Sequence, residues 1–128
     1  MGCNILLVDD SRTVKAVITK ALQMSGLALG TLFNAGNGRE GLEVLRKEKV
    51  DLVFADINMP VMGGVEMVEE MKRDAALRAI PIVVISTEGS AVRIQDLKDK
   101  GVDAFLRKPF APEALKKTVE SVLGGSHA

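Results

Sequence analysis

Three carboxylates, a hydroxyl and an ammonium stand at the ends of short apolar runs in this 128-residue sequence. Asp9 and Asp10 follow Asn4–Val8, Asp56 follows Leu52–Ala55 with Asn58 two residues on, Ser86 and Thr87 follow Ile82–Ile85, and Lys108 closely follows Ala104–Leu106. A lone Asp at such a place is ordinarily a turn former or a helix cap. Three carboxylates brought together would repel one another and resist ionisation unless a cation were present. Carboxylates, a carbonyl and water are the ligands Mg2+ takes, and no Cys/His cluster speaks for zinc. Lys108 adds the positive charge that a phosphoryl group in transfer needs. Ser86 can donate a hydrogen bond to a phosphoryl oxygen, and Asp56, central to the set, can act as a nucleophile forming an acyl phosphate. The chemistry of the set is phosphoryl transfer to a carboxylate.

Those residues meet only if the apolar runs lie side by side. Asn4–Val8, Leu29–Ala35, Leu52–Ala55, Ile82–Ile85 and Ala104–Leu106 are short apolar stretches that read as strands. The first is a continuous apolar run, as a strand buried on both faces is, and the fourth is strongly β-branched. Thr31 and Asn34 suit a sheet edge. Between and after the strands run segments of helical period: Thr13–Met24, Arg39–Lys47, Val65–Lys72, Ala91–Asp99 and Pro112–Leu123. Val14, Val17, Ile18, Ala21 and Leu22 form one stripe on the first helix, which Gly26 stops as a left-handed cap. Leu42 and Leu45 face inward on the second, and Pro112 is placed to start the last. Five strands each followed by a helix imply an α/β fold with a doubly wound parallel sheet covered on both faces and right-handed crossovers. Ligands in such a fold sit beyond the carboxyl ends of the strands, where the residues above would gather. Asp51 falls on the opposite rim and reads as structural.

Composition leaves room for one domain and one core. Hydrophobic residues are 47% and charged residues 27% of the chain, and seventeen basic side chains balance seventeen acidic ones. That balance argues against a nucleic-acid-binding domain, and no apolar run approaches the roughly 18 residues of a membrane span. One cysteine, Cys3, allows no internal disulfide and fits a reducing cytoplasm. Cys3 reads as a small residue before a strand, Met59, Met62, Met67 and Met71 as core and loop packing, and residues 124–128, with the lone His127, as a flexible tail behind a domain of residues 1–123.

Taken in order and with their spacing, Leu6-Leu7-Val8-Asp9-Asp10-Ser11-Arg12, Asp56-Ile57-Asn58-Met59-Pro60-Val61-Met62-Gly63-Gly64, Ser86-Thr87-Glu88 and Lys108-Pro109-Phe110 resemble the CheY-like response-regulator receiver family over about residues 4–123. The resemblance implies a flavodoxin-like sheet of order 2-1-3-4-5. It implies that Asp56 is the phosphoacceptor, that Asp10, Asp56 and the Asn58 carbonyl bind Mg2+ directly, and that Asp9 reaches the metal through water. Ser86 then follows the phosphoryl group, Lys108 pairs with it, and Phe105, with Ser86 and Thr87, belongs to the switch. Asn58 and Glu88 would control dephosphorylation, and Lys108–Pro109 would be a cis bond. The implied partners are a histidine kinase or histidine phosphotransfer protein and a downstream target protein. The implied output face is helix 4, strand 5 and helix 5 of a cytoplasmic monomer without an output domain. Three residues depart from the common pattern. Gly63 stands where many relatives have Asp, Phe105 replaces the Tyr of some, and Thr87 is larger than a frequent Ala. Phe105 reads equally well as a core aromatic.

Two other classes are weaker. A haloacid-dehalogenase-type phosphatase needs a second Asp two residues after its nucleophile, where Asn58 stands, and room for a cap domain. A flavodoxin-like cofactor binder wants a phosphate-cradling loop after strand 1, where Asp9 and Asp10 would repel phosphate. A receiver fold that binds partners without phosphorylation would not need all five key side chains.

Overall fold

The computed structural model describes residues 2–57, 59–86, 91–108 and 110–124. Among them strands and helices alternate as β1 (Cys3–Val8), α1 (Arg12–Met24), β2 (Leu29–Ala35), α2 (Gly38–Lys47), β3 (Leu52–Ala55), α3 (Gly64–Arg73), β4 (Ile82–Ser86), α4 (Ala91–Asp99), β5 (Ala104–Arg107) and α5 (Pro112–Gly124). All strand pairs are parallel and the order is β2-β1-β3-β4-β5. The polar-flanked β2 and the short β5 are the edges, as their sequences led one to expect. Element bounds differ from the sequence expectation by a residue or so. The largest consequence is that Cys3 opens β1 rather than preceding it, and Ser86 ends β4 rather than leaving it.

Side-chain alternation along the strands divides the core in two. Leu6, Val8, Val53, Ala55, Ile82 and Val84 point to one face and meet Leu42 and Leu45 of α2, Met67, Val68 and Met71 of α3, and Leu97 of α4. Ile5, Leu7, Leu52, Phe54, Val83 and Ile85 point to the other and meet Ile18, Ala21 and Leu22 of α1 and Leu115 and Val119 of α5. Both faces of the central strands are therefore dry over Ile5–Val8, Leu52–Ala55 and Ile82–Ile85, which is why these stretches are apolar without polar interruption. Val17 does not join this core: it is 56% exposed. The apolar stripe of α1 is wider than the contact that the sheet and α5 offer, so its flank faces outward.

Local chemistry sets the helix ends. The Ser11 hydroxyl accepts from the Val14 amide at 3.2 Å, and the Asn37 side chain accepts from the Glu40 amide at 3.0 Å; both are N-caps. Gly26 has φ +85°, the left-handed turn that ends α1. At Gly63, the N-cap of α3, an added β-carbon would come within 2.8 Å of the Ile57 carbonyl, and at Gly64 within 2.2 Å of the Asp56 carbonyl. Glycine at 63 is thus a requirement of this loop, and the side-chain cap that Asp would supply is given up. Val61, in the same loop, carries φ +66°. The Met62 amide bonds the Pro60 carbonyl at 2.7 Å around it, a γ-turn of the strained hand.

Candidate functional site

The sheet ladder runs on past the strands and aligns their exits. The Asp9 amide bonds the Ala35 carbonyl and the Asp56 amide bonds the Val8 carbonyl, each at 3.0 Å, while the Lys108 amide bonds the Ser86 carbonyl at 2.9 Å. Parallel pairing in this register puts Asp9, Asp56, Ser86 and Lys108 on one rim. Carboxylate oxygens of Asp9, Asp10 and Asp56 lie within 4.8 Å of one another. Asp9 is buried, Asp56 half-buried and Asp10 exposed, so the cluster is closed beneath and open above.

Hydrogen bonds already orient two of the three carboxylates. One oxygen of Asp9 accepts from the Ser11 amide at 2.9 Å, which also helps turn the chain into α1. Its other oxygen receives the Lys108 ammonium at 3.4 Å, with side-chain exposures of 5% for Asp9 and 19% for Lys108. Oδ1 of Asp56 accepts from the Ile57 amide at 2.8 Å. This ion pair was not foreseen: the sequence places Lys108 at the rim but does not say which carboxylate holds it. Three hard oxygen ligands at such spacing fit a divalent cation, since Mg2+ is held by one or two carboxylates together with waters. They do not fit a soft thiolate-seeking metal.

Ser86 is buried, 1% exposed, at the last position of β4. Alternation puts its side chain on the same face as Val84, whose register partner on β5 is Phe105. Phe105 is half-buried and packs against the cluster that includes Leu97 of α4. Ser86 and Phe105 therefore share the α4 face of the sheet. Asn58, Thr87, Glu88 and Pro109, which the sequence also singled out, lie outside the described residues, as does His127. Met67 and Met71 are fully buried, and Met59 and Met62 pack at the margin of the same core. Asp51, on the far rim, accepts from the Asn4 amide at 2.9 Å, and the role is structural. Among the described residues no helix is long and apolar enough to cross a membrane.

Sequence reasoning passed over two features near the rim. Val61 gave no sign beyond following Pro60. The cations Arg12, Lys15 and Lys20 border a groove of about 660 Å3 beside α1, and the signal, a helix without a single acidic residue, was in plain view.

A family model for the response regulator receiver domain matches residues 5–120. Chemotaxis protein CheY1 of Helicobacter pylori is 35% identical over 121 residues, covering 94% of this chain and 96% of that protein. Protein PilH of Pseudomonas aeruginosa is also 35% identical, over 94% of this chain and 98% of its own. The solved structure of the chemotaxis response regulator CheY4 of Vibrio cholerae is similar with a TM-score of 0.85 at 34% identity, covering 95% of this chain and 99% of that one.

Proposed function

Because the chain belongs to the response-regulator receiver family, we propose that it takes a phosphoryl group onto Asp56 from a histidine kinase or histidine phosphotransfer protein, with Mg2+ bound, and signals through a face made of α4, β5 and α5. Receivers are switches that catalyse only their own phosphorylation and dephosphorylation, and the acidic cluster of Asp9, Asp10 and Asp56 is where this one accepts the group. The observation that carries the finer reading is the meeting of those three carboxylates with the Lys108 ammonium on one rim.

In the proposed step a carboxylate oxygen of Asp56 attacks phosphorus. The bond from phosphorus to the donor's imidazole nitrogen breaks, and its electron pair stays on that nitrogen, which takes a proton. Asp10, Asp56 and the Asn58 carbonyl would hold Mg2+ directly and Asp9 through water, supplying positive charge to the phosphoryl oxygens. Lys108 leaves Asp9 to pair with the new phosphoryl group, and Ser86 donates to one of its oxygens. Reset is hydrolysis by water, with Asn58 and Glu88 as the flanking controls. The switch consists of Ser86, Thr87 and Phe105. As Ser86 moves inward, Phe105 on the same sheet face follows, and α4 and β5 change the surface they present. Phosphorylation shifts a pre-existing two-state population rather than creating a new fold. The acting unit is the receiver domain, a monomer, whose last helix runs through Gly124, one residue past the boundary read from the sequence.

Incubation with a small phosphodonor and Mg2+ should add one phosphoryl group by intact mass, and Asp56→Asn should abolish the adduct because an amide is a poor nucleophile. An adduct that persists in Asp56→Asn, at wild-type yield, overturns the assignment of the acceptor.

A further inference from the structure

Three polar side chains are buried among the described residues. Asp9 and Ser86 stand at the carboxyl rim; the third, Asn37, lies at the corner between β2 and α2 and has no part in the chemistry. Burying a polar group is costly unless its hydrogen bonds are made. The Asn37 side-chain oxygen accepts from the Glu40 amide at 3.0 Å, and its amide group donates to Oε2 of Glu40 at 3.4 Å. Oε1 of Glu40 accepts from the Gly36 amide at 2.9 Å, and the Asn37 carbonyl accepts from the Gly41 amide at 3.0 Å. The corner is thus closed on itself before it meets anything else.

What it meets is the loop after β3. The Gly38 amide donates to the Met62 carbonyl at 2.8 Å. A β-carbon at Gly38 would come within 2.9 Å of the Met62 side chain, and one at Gly41 within 3.0 Å of the Met67 sulfur and 3.1 Å of Val8. The first turn of α2 is seated on α3 and β1 without slack, so the Gly38 amide is aimed from a fixed base. The loop needs that hold. Val61 carries φ +66° and is 73% exposed. A β-branched residue persists in the left-handed region only where its surroundings over-determine it, and packing does not do so here. Backbone hydrogen bonds must. The Met62 amide donates to the Pro60 carbonyl at 2.7 Å inside the turn, and the Gly64 amide to the Ile57 carbonyl at 2.9 Å closes its base. The bond from Gly38 reaches the turn from a separate element.

We propose that Asn37 is a positioning residue for metal binding and phosphorylation: it fixes the corner that aims the Gly38 amide at the Met62 carbonyl, and so holds the strained Val61 turn in the form that binds Mg2+. The proposal rests on the reading that Asp10, Asp56 and the Asn58 carbonyl take Mg2+, since Asp56 and Asn58 lie in the stretch that this turn closes. Asn37 touches neither the metal nor the phosphoryl group and acts through Met62. The competing form has Val61 relaxed to negative φ and the Met62 carbonyl released. A site competent in only a fraction of molecules binds more weakly by that fraction, so a loosened corner raises the Kd for Mg2+. Glycine at position 61 takes positive φ without strain. In that background the turn keeps its form unaided and the corner becomes dispensable, which a simple loss of helix stability would not bring about.

The test is a Mg2+ titration of the labelled full chain, followed by backbone amide shifts without phosphodonor. Asn37→Ala should raise the Kd at least threefold and, in metal-free protein, speed exchange of the Gly38 amide at least tenfold. Asn37→Ser keeps a capping oxygen and should restore both to near the wild-type values. Leu45→Val thins the core under the same helix about two turns on and should move neither. With Gly at position 61, adding Asn37→Ala should leave the Kd nearly unchanged. Should Asn37→Ala fail to fold, Glu40→Ala, at an exposed position, must still raise the Kd at least twofold and lose that effect beside Val61→Gly. A Kd indifferent to Asn37→Ala, an equal rise in Leu45→Val, or an equal rise with Val and with Gly at position 61 overturns the proposal. A wild type without a saturable Mg2+ response overturns the metal reading and this role with it, whereas a wild type that binds Mg2+ beside an indifferent Asn37→Ala overturns this role alone.

Discussion

At the scale of single residues the site is a balance of like charges steadied by one ammonium. Asp9 is buried and its second oxygen depends on Lys108. Removing one partner of a largely buried pair leaves an uncompensated charge. Lys108→Ala is therefore expected to lower unfolding stability by about 1–3 kcal/mol in metal-free buffer, a loss at the low end because Lys108 keeps some solvent. Added Mg2+ should return part of it, and urea unfolding with and without the ion measures both. Val61 is strained without compensation from packing, since its side chain is 73% exposed. A β-branched residue at positive φ costs about 1–3 kcal/mol and glycine's extra unfolded-state freedom returns up to about 1. Val61→Gly should accordingly raise stability by roughly 1 kcal/mol, read as a higher denaturation midpoint at unchanged m-value. Cys3 is set apart from the chemistry. Burial, with a smaller effect from the Asp51 charge, pushes its thiol up to about 11. Alkylation by iodoacetamide at pH 7 should be far slower than for a free thiol. The folded state keeps its proton where the unfolded thiol has lost it, so stability should fall as pH rises from about 9 through about 11. Equal alkylation rates in native protein and in urea would contradict this.

At the scale of elements the functional residues owe their positions to turns rather than to the strands themselves. The Ser11 cap and the Ser11 amide bond to Asp9 act on one tight link, so a single serine both starts α1 and aims a carboxylate. Ser11→Ala keeps the amide and loses the cap. It should cost about 1 kcal/mol, seen in thermal or urea unfolding, and leave the Asp9 contact intact. The loop after β3 is held at both ends: the Gly64 amide bonds the Ile57 carbonyl at 2.9 Å and the Gly38 amide bonds the Met62 carbonyl at 2.8 Å. Gly38 has no room for a β-carbon, which would come within 3.0 Å of Met62 and Met67. The loop after β3 is thereby tied to the start of α2, and α2 is part of what keeps Asp56 facing the rim.

At the scale of the whole molecule, two apolar layers fix a sheet whose carboxyl edge carries the charge. On the proposed reading Mg2+ binds the three carboxylates only when the folded sheet has gathered them, and so is a ligand of the native state alone. Mg2+ should raise stability by RT ln(1 + [Mg]/Kd), about 2.7 kcal/mol at a hundredfold excess over Kd. Asp10→Asn removes one of the crowded carboxylates. Its metal-free form should be equal to or more stable than wild type, because repulsion falls, and its response to Mg2+ should be much weaker. Thermal melts across a Mg2+ series separate the two effects; an unaltered Mg2+ response in Asp10→Asn would remove that side chain from the ligand set.

The sequence alone determined the alternation of strand and helix, because runs such as Leu52–Ala55 and Ile82–Ile85 can be dry on both faces only inside a covered parallel sheet. It also determined which residues leave each strand, and the pairing of carboxylates with a lysine and a serine was enough to identify the chemistry. The strand order was legible through the family resemblance and not through the pattern itself, since the apolar periods of β1, β3 and β4 are interchangeable. Tertiary structure decided what depends on distance between remote segments. That Lys108 holds Asp9, ninety-nine residues away, is set by the register of β4 and β5 against the central strands. That Val17 faces solvent while Ile18 is buried against Leu115 and Val119 is decided by packing, which periodicity cannot measure. That Gly63 and Gly64 must lack side chains comes from the path of the Asp56–Ile57 backbone beneath them. Local pattern encodes which way a residue can point; only the packed chain determines what it meets there.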